Sequence, residues 1–247
     1  MEIARITLQI GGGNSRDFFV RPQSVGDTGV VRQIFESVDY ELGHFKRTAA
    51  LQAYAWDKKK SAQRPLIIDA GANIGASPLF CSLRYPSSRV VALEPEPNNC
   101  MLLRRNCVSR DVVLLEGAIG SDKSIAFLSD PGLSDPGLSD WGFRVGPTGS
   151  YPVNVFTADE ILNDPMNANF FPFICKIDIE GGEARLFEKN TERLDQFPLV
   201  IIELHDWMLP GESNSRNFLK ALVSRDFDFM HRGENSFCFN NRLLRRY

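Results

Sequence analysis

The chain has 247 residues, of which 43% are hydrophobic and 24% charged, and its formal net charge at pH 7 is −3. This length suits one α/β domain with added segments, and the negative charge argues against a protein that binds nucleic acid mainly through basic side chains. No apolar run approaches the ~20 residues that span a bilayer, and the beginning lacks a signal-peptide pattern. The five cysteines are scattered, so we expect reduced thiols in a cytoplasmic protein. From the charge and the lack of a long apolar run we expect neither a nucleic-acid nor a membrane partner.

The first 60 residues are predicted to form an accessory or cap segment that precedes a second region, 61–247. It begins with a strand at 3–10, and helices are expected in TGVVRQIFESVDY and LQAYAWDKKK.

From residue 61 onward strands alternate with helices, which predicts a doubly wound, mostly parallel α/β sheet. The main strands are expected at 66–70, 89–95, 112–120, 171–180 and 197–205, with a short extra strand at 124–129 and a strand followed by a capped helix in VNVFTADEIL. A closing hairpin in DFDFMHR and NSFCFNN would add one antiparallel strand. The sequence LSDPGLSDPGLSD, residues 128–140, repeats a pentapeptide of turn residues and is predicted to be a mobile surface loop.

The stretch PLIIDAGANIGAS, residues 65–77, is predicted to be a buried strand that ends in a glycine turn. The turn lacks the middle glycine of the dinucleotide motif and the lysine of a phosphate loop, so it fits neither pattern. It nevertheless follows the first parallel strand, where open sheets bind ligands. Ser77, with Pro78 after it, is expected to be the N-cap of the next helix.

Two acids stand at the ends of the first two predicted strands. Asp69 would suit a cationic group better than a phosphate, and Glu94 is placed to accept both hydroxyls of a ribose. Together they fit a nucleoside that carries positive charge and no pyrophosphate, such as S-adenosylmethionine. Alternatively, Asp69 caps the turn and Glu94 pairs with a surface base.

The segment KIDIEGGE, residues 176–183, places charges in a predicted central strand. Alternation would put Lys176, Asp178 and Glu180 on one face, and Glu203 and His205 share a face of the following strand. If the two strands are neighbours, these acids and the histidine line one pocket. The alternatives are a structural Lys176–Asp178 ion pair and a loop role for His205, and Glu183 is predicted to interact with a helix dipole.

Four stretches of the chain resemble, in order and spacing, the FkbM family of S-adenosylmethionine-dependent methyltransferases. They are IIDAGANIGAS, VVALEPEPNN, AIGSDKSIAFL and KIDIEGGEARLF. The resemblance covers roughly residues 17–205. It implies a seven-stranded Rossmann-like methyltransferase sheet and O-methylation of a sugar or polyketide hydroxyl, with a small-molecule acceptor as the partner.

The resemblance also implies roles for residues of this sequence. The cofactor loop would consist of Asp69, Gly71, Ala72, Asn73 and Gly75. Glu94, with Pro95 beside it, would bind the ribose. The adenine would lie along Gly117, Ala118 and Ile119, and Asp178 would face the cofactor amine or the substrate.

A hydroxyl acceptor must lose its proton, which a nearby base would take. His205 is the first candidate because its unperturbed pKa is near neutral, and Asp178 or Glu180 is the alternative. We expect no metal, because the sequence offers no second acidic pair.

Three other functions remain open. The first is an NAD-type oxidoreductase, which would need the glycine that is missing from the loop. The second is a methyltransferase-like module that binds a partner and has lost catalytic activity. The third is a nucleic-acid methyltransferase, which the acidic composition disfavours. The sequence does not indicate the oligomeric state.

Overall fold

The structure, a computed structural model, describes residues 1–10, 13–129 and 142–247. Two strands near the beginning, β1 (Ala4–Gln9) and β2 (Ser15–Val20), pair antiparallel in a small sheet of their own. Most of the predicted mobile loop, from residue 130 to residue 140, lies outside the described residues, whereas Leu128 and Ser129 end a strand.

The main sheet contains ten strands among the described residues, so the predicted number of seven was wrong. They are β3 (Arg64–Ala70), β4 (Arg89–Glu94), β5 (Val112–Ile119), β6 (Ser124–Ser129), β7 (Arg144–Gly146), β8 (Tyr151–Phe156), β9 (Phe170–Ile177), β10 (Leu199–Glu203), β11 (Phe227–Arg232) and β12 (Asn235–Asn240). Their order across the sheet is β11-β12-β10-β9-β3-β4-β5-β8-β6-β7. Every strand predicted from residue 61 onward is present, and β7 was not predicted; β8, β6 and β7 extend the sheet beyond β5.

The centre of the sheet is parallel, as predicted, from β10 through β9, β3, β4 and β5 to β8. The closing hairpin is confirmed, because β12 pairs antiparallel with both β10 and β11. Chain order reverses between β3 and β9, which is where doubly wound sheets bind ligands.

The described residues contain eight α-helices, of which α3 to α7 lie between consecutive strands of the main sheet. They are α1 (Val25–Val31), α2 (Thr48–Lys60), α3 (Ala76–Arg84), α4 (Pro97–Asn106), α5 (Ala158–Leu162), α6 (Glu183–Leu186), α7 (Arg216–Val223) and α8 (Asn241–Leu244). A π-helical turn, Arg32–Glu36, follows α1. Within the described ranges, no helix combines the length and the apolar character needed to cross a membrane.

The predicted N-cap of α3 was wrong by two residues. The helix begins after Gly75, which has φ +93°, and no side chain caps it. Ser77 lies inside the first turn, and its hydroxyl donates to Asp69 Oδ2 at 2.6 Å. A buried carboxylate needs such a donor, so the hydroxyl serves the strand end and not the helix end.

Residues 1–60, predicted as an accessory segment, share a hydrophobic core with the main sheet. Phe18, Ile34 and Leu51 belong to the same buried cluster as Ile67 and Phe237. All five cysteines are buried free thiols.

Candidate functional site

A cavity of about 1060 Å³ lies at the carboxyl ends of β3, β4, β5, β9 and β10. Ligand pockets are usually ~300–1,000 Å³, so this cavity lies at the upper end of that range. The wall includes ten of the predicted site residues, namely Gly71, Ala72, Asn73, Glu94, Pro95, Gly117, Ala118, Ile119, Asp178 and Glu180. Asp69, Gly75 and His205 do not line it and lie directly behind the wall.

The glycine loop uses all its backbone donors within the protein. The N–H groups of Gly71 and Ala72 both donate to the Leu93 carbonyl at 3.0 Å, and that of Gly75 donates to the Ala72 carbonyl. The Asn73 N–H donates to Glu94 Oε2 at 2.8 Å, and the Ile74 N–H donates to Asn73 Oδ1 at 2.7 Å. A phosphate cradle needs free N–H groups, and none remains between residues 71 and 75.

Gly71 and Gly75 allow close approach to protein backbone. Both have positive φ, +79° and +93°, which favours glycine. A Cβ on Gly71 would lie 1.6 Å from the Asp178 carbonyl oxygen, and one on Gly75 would lie 3.0 Å from Leu103 Cα. The loop therefore packs tightly on the turn after β9 and on α4.

Asp69 is fully buried, and the cation it faces is a lysine of the chain itself. Lys176 Nζ lies 3.1 Å from Asp69 Oδ1 and 3.4 Å from Asp178 Oδ2, and it donates to the Gly71 carbonyl at 2.7 Å. Burial raises the pKa of Asp69, although Lys176 and the Ser77 hydroxyl oppose the shift. The predicted Lys176–Asp178 ion pair is present, and Asp69 is the closer partner.

Glu94, at the end of β4, is buried and already holds the protein backbone. Its Oε2 accepts from Asn73, and its Oε1 accepts from the Glu96 N–H at 2.9 Å and from Asn99 Nδ2 at 3.2 Å. Burial raises the pKa of Glu94 to about 7 despite these bonds. Asn99 also lines the cavity, and its buried Oδ1 has no hydrogen-bond partner among the described residues.

Three acids and a histidine meet at the ends of β9 and β10, which are neighbours as the charged-strand prediction required. His205 Nε2 lies 3.6 Å from Asp178 Oδ1, 3.4 Å from Glu180 Oε2 and 3.5 Å from Glu203 Oε1. Burial lowers the pKa of His205, but the carboxylates of Glu183 and Glu203 outweigh it and raise the pKa to about 11. Burial and the charge of Asp178 raise the pKa of Glu180 to about 8.

The alternation that brought these residues together ends earlier than predicted. Strand β9 stops at Ile177, and Glu180 has φ +51°, so the chain turns before it. Asp178 still donates its N–H to the Ala70 carbonyl at 3.0 Å. Glu180 therefore reaches the cavity from a turn and not from a strand face.

Glu183 has a role that sequence reasoning missed. It lies in the first turn of α6, where the helix-dipole prediction places it, but it is also fully buried, and its Oε1 lies 2.7 Å from His205 Nδ1. Asn214 Nδ2 donates to the other oxygen of Glu183, and the Ala184 N–H donates to Asn214 Oδ1. The polar residue at the start of α6, directly after two glycines, was the only signal in the sequence.

The segment 25–40 forms the wall opposite the glycine loop and supplies Gln33, Asp39 and Tyr40 to the cavity. Tyr40 is buried, which raises its pKa well above the ordinary value. Arg232, from β11, holds this segment: Nη1 donates to the carbonyls of Val38 and Glu41 at 3.2 Å and of Asp39 at 3.4 Å. Segment 25–40 thus completes the wall of the cavity.

Two curated proteins are similar to this chain in sequence. Hexuronic acid methyltransferase AglP of Haloferax volcanii is 24% identical over 180 residues, which are 72% of this chain and 71% of AglP. Methyltransferase sdnD of Sordaria araneosa is 35% identical over 60 residues, 24% of this chain and 23% of sdnD.

The solved structures that match this chain are more distant in sequence. WbdD has 11% identity and a TM-score of 0.45, over 90% of this chain and 43% of WbdD. Fibrillarin of Methanococcus jannaschii has 11% identity and a TM-score of 0.41, over 96% of each chain.

The family comparison covers the strands that build the cavity, from the glycine loop to the closing hairpin. A family model described as "Methyltransferase FkbM domain" matches residues 69–232, which is more than half of the chain. The chain therefore belongs to the FkbM family of methyltransferases.

Proposed function

We propose that this protein is an S-adenosylmethionine-dependent methyltransferase that methylates a hydroxyl group of a small molecule, such as a sugar or a polyketide. The observation that carries the proposal is the glycine loop, whose N–H groups are all used within the protein beside the buried carboxylate of Glu94. Such a loop suits a nucleoside without a pyrophosphate. It disfavours an NAD-type oxidoreductase, which needs free N–H groups at this turn.

The residues present fit this cofactor. Glu94 Oε2 has one hydrogen-bond donor and retains capacity for a ribose hydroxyl, and the unpartnered Asn99 Oδ1 beside it can accept a second donor. Gly117, Ala118 and Ile119 offer a narrow apolar surface for a base. When bound, S-adenosylmethionine supplies an electrophilic methyl group on a positively charged sulfur.

The cavity geometry favours a carboxylate over His205 as the base. His205 is 1% exposed and lies behind the wall, whereas Asp178 and Glu180 line the cavity, with side chains 22% and 17% exposed. Oxygen–methyl bond formation requires that the acceptor hydroxyl lose its proton. We assign that proton to Glu180, whose buried Oε2 has no hydrogen-bond partner among the described residues.

The charge of the cavity restricts the acceptor. Its described lining has many acids and two bases, Lys176 and Arg185; the acids are Asp39, Glu94, Asp122, Asp178, Glu180, Glu188, Glu203 and Glu234. Like charges repel, so a neutral or positively charged hydroxyl compound is the acceptor class that we propose. The similarity to AglP supports a sugar, and this lining favours one without a free carboxylate.

Binding measurements by calorimetry test the cofactor assignment. We expect S-adenosylmethionine and S-adenosylhomocysteine to bind and NAD to show no saturable binding. Glu94→Gln should weaken S-adenosylmethionine binding at least tenfold, because one acceptor oxygen is replaced by a donor.

Glu116→Gln is the matched control, since Glu116 is the partner of Glu94 on β5 and its side chain is 53% exposed. Unchanged affinity in Glu94→Gln would remove the ribose assignment, and preferential NAD binding would overturn the proposed function. A chain that binds the cofactor but releases no S-adenosylhomocysteine with any neutral or amino sugar would support the non-catalytic alternative.

A further inference from the structure

We propose that Asp178, Glu203 and His205 form a binding site for a divalent cation at the deep end of the cavity. This reverses the expectation from sequence, which predicted no metal. The cation site stands on the geometry alone, and its use in catalysis, described below, rests on the proposed function.

The three side chains are spaced as ligands of one ion. His205 Nε2 lies 3.6 Å from Asp178 Oδ1 and 3.5 Å from Glu203 Oε1, and one atom from each of the three residues lies within 4.8 Å of the others. Two ligand atoms ~2.1 Å from a common ion, at angles of about 90–110°, lie about 3.0–3.5 Å apart. The observed separations are close to this range and long for hydrogen bonds.

His205 presents an unused nitrogen to these oxygens. The side chain is 1% exposed, and Nε2 has no hydrogen-bond partner among the described residues. A buried nitrogen without a partner costs free energy, and a cation between it and the two carboxylates would remove that cost.

The other ring nitrogen is held in the way that metal-binding histidines usually are. Nδ1 lies 2.7 Å from the buried carboxylate of Glu183, which Asn214 fixes in turn. A carboxylate at Nδ1 orients the ring toward the ion, and Nε2 can bind the ion once its own proton has left. Glu183 from the start of α6 and Asn214 from the segment before α7 thus hold the imidazole in place.

The excess of negative charge around His205 also favours binding of a cation. Five carboxylates surround two basic groups, His205 and Lys176; the carboxylates are Asp69, Asp178, Glu180, Glu183 and Glu203. Even with both bases protonated and Glu180 neutral, the other four carboxylates outnumber the two positive charges in a largely buried region, which is costly unless compensated.

The ligand types indicate which ion the site prefers. Carboxylates suit Mg²⁺ and Mn²⁺, whereas an imidazole suits the transition metals, so the mixed set favours Mn²⁺. Asp178 and Glu203 are 22% and 12% exposed toward the cavity, which leaves coordination positions open. If the proposed function holds, two neighbouring hydroxyls of the acceptor would occupy those positions, and the ion would lower the pKa of the hydroxyl that reacts.

Titration of the EDTA-treated full chain with Mn²⁺ alone, followed by electron paramagnetic resonance and calorimetry, tests the site. We expect one equivalent of Mn²⁺ to bind without cofactor or acceptor. The isosteric variants Asp178→Asn and Glu203→Gln should each weaken Mn²⁺ binding at least tenfold. Asp206→Asn is the control, because this acid follows His205 directly but faces the Ser215 N–H and does not line the cavity.

The proposal is overturned if the wild-type chain shows no saturable binding of Mn²⁺, Mg²⁺ or Zn²⁺, or if both variants bind Mn²⁺ as tightly as Asp206→Asn does. Melting temperatures identify any variant that fails to fold, and Asp178→Asn, the more exposed of the two, then decides the result. S-adenosylmethionine binding is measured separately in EDTA. If the chain binds S-adenosylmethionine in EDTA but does not bind Mn²⁺, the cation site is overturned and the proposed function stands.

Discussion

Lys176 joins the glycine loop to the two strands beneath it. Its side chain is 4% exposed, and its ammonium group contacts Asp69, Asp178 and the Gly71 carbonyl. The pairing follows from the sheet, since Asp69 on β3 lies opposite Lys176 on β9. One lysine thus neutralises the buried strand end and holds the start of the loop.

Replacing Lys176 by Met should therefore destabilise the protein strongly. Asp69 would remain buried with no cation, and breaking a buried pair in this way costs ~3–5 kcal/mol. Urea unfolding measures the free energy of unfolding. The control is Lys123→Met, which breaks the exposed pair with Glu160 and should leave the free energy nearly unchanged. Equal effects of the two substitutions would contradict the role assigned to Lys176.

The residues of the site could be found from the sequence more readily than their partners could. Asp69 is an acid in an otherwise apolar strand, and the sequence predicted that it faces a cationic group of the ligand. Its partner could be identified only by placing β3 beside β9, which is a property of the whole sheet. Glu183 was missed for the same reason, because its contact with His205 spans 22 residues and two elements.

Among the elements, the turn from β3 to α3 depends most on its backbone. Gly71 needs both a positive φ and the absence of a side chain, because a Cβ would lie 1.6 Å from the Asp178 carbonyl oxygen. The loop and the turn after β9 are therefore fitted to one another, and moving one moves the other.

Gly71→Ala should lower the free energy of unfolding by ~3–5 kcal/mol, through left-handed strain and overpacking together. Gly211→Ala separates the two effects, because Gly211 has φ +90° with open space around its Cβ position. It should cost only the conformational part, ~1–2 kcal/mol. Denaturant titration of both variants provides the comparison, and similar losses would mean that the close approach at Asp178 does not matter.

Element positions were predicted well where period and turn residues agree, as in β4, β5, β10 and the closing hairpin. The end of β9 was predicted three residues too late, because charges continue to alternate after the strand has turned. The loop between β3 and α3 was recognised as unsuited to phosphate by its missing glycine and lysine. The structure adds the physical reason, since all N–H groups from residue 71 to residue 75 already have acceptors.

For the whole molecule, the buried acids determine how stability depends on pH. The pKa of Glu94 is raised by burial from 4.5 to about 7, so the folded chain holds a proton that the unfolded chain releases between these values. The contribution of Glu94 to stability is complete below about pH 4.5 and is lost as the pH rises through 7. It amounts to ~3 kcal/mol.

We expect the free energy of unfolding to fall between pH 5 and pH 8, and Glu94→Gln to flatten that fall. Urea titrations at pH 5, 6, 7 and 8 measure it, with Glu116→Gln as the variant that should keep the wild-type slope. Parallel curves for Glu94→Gln and the wild type would show that Glu94 titrates normally in the folded chain.

The α/β class and the parallel centre of the sheet followed from alternating strands and helices. The strands β6 and β8 were also predicted, but β7 and the pairing of all three beyond β5 were not, because edge pairing depends on which strands remain unpaired once the centre has formed. The share of the cavity wall contributed by residues 25–40 was also beyond sequence reasoning, since nothing local to that segment indicates what it faces.

Arg232 has a consequence for how the protein reaches its native state. Its bond to the Val38 carbonyl joins residues 194 positions apart, and contacts of such long separation slow folding because a large loop must close first. We therefore expect the Arg232 contacts to segment 37–41 to form only after the hairpin that carries Arg232, which would make closure of the cavity a late step of folding.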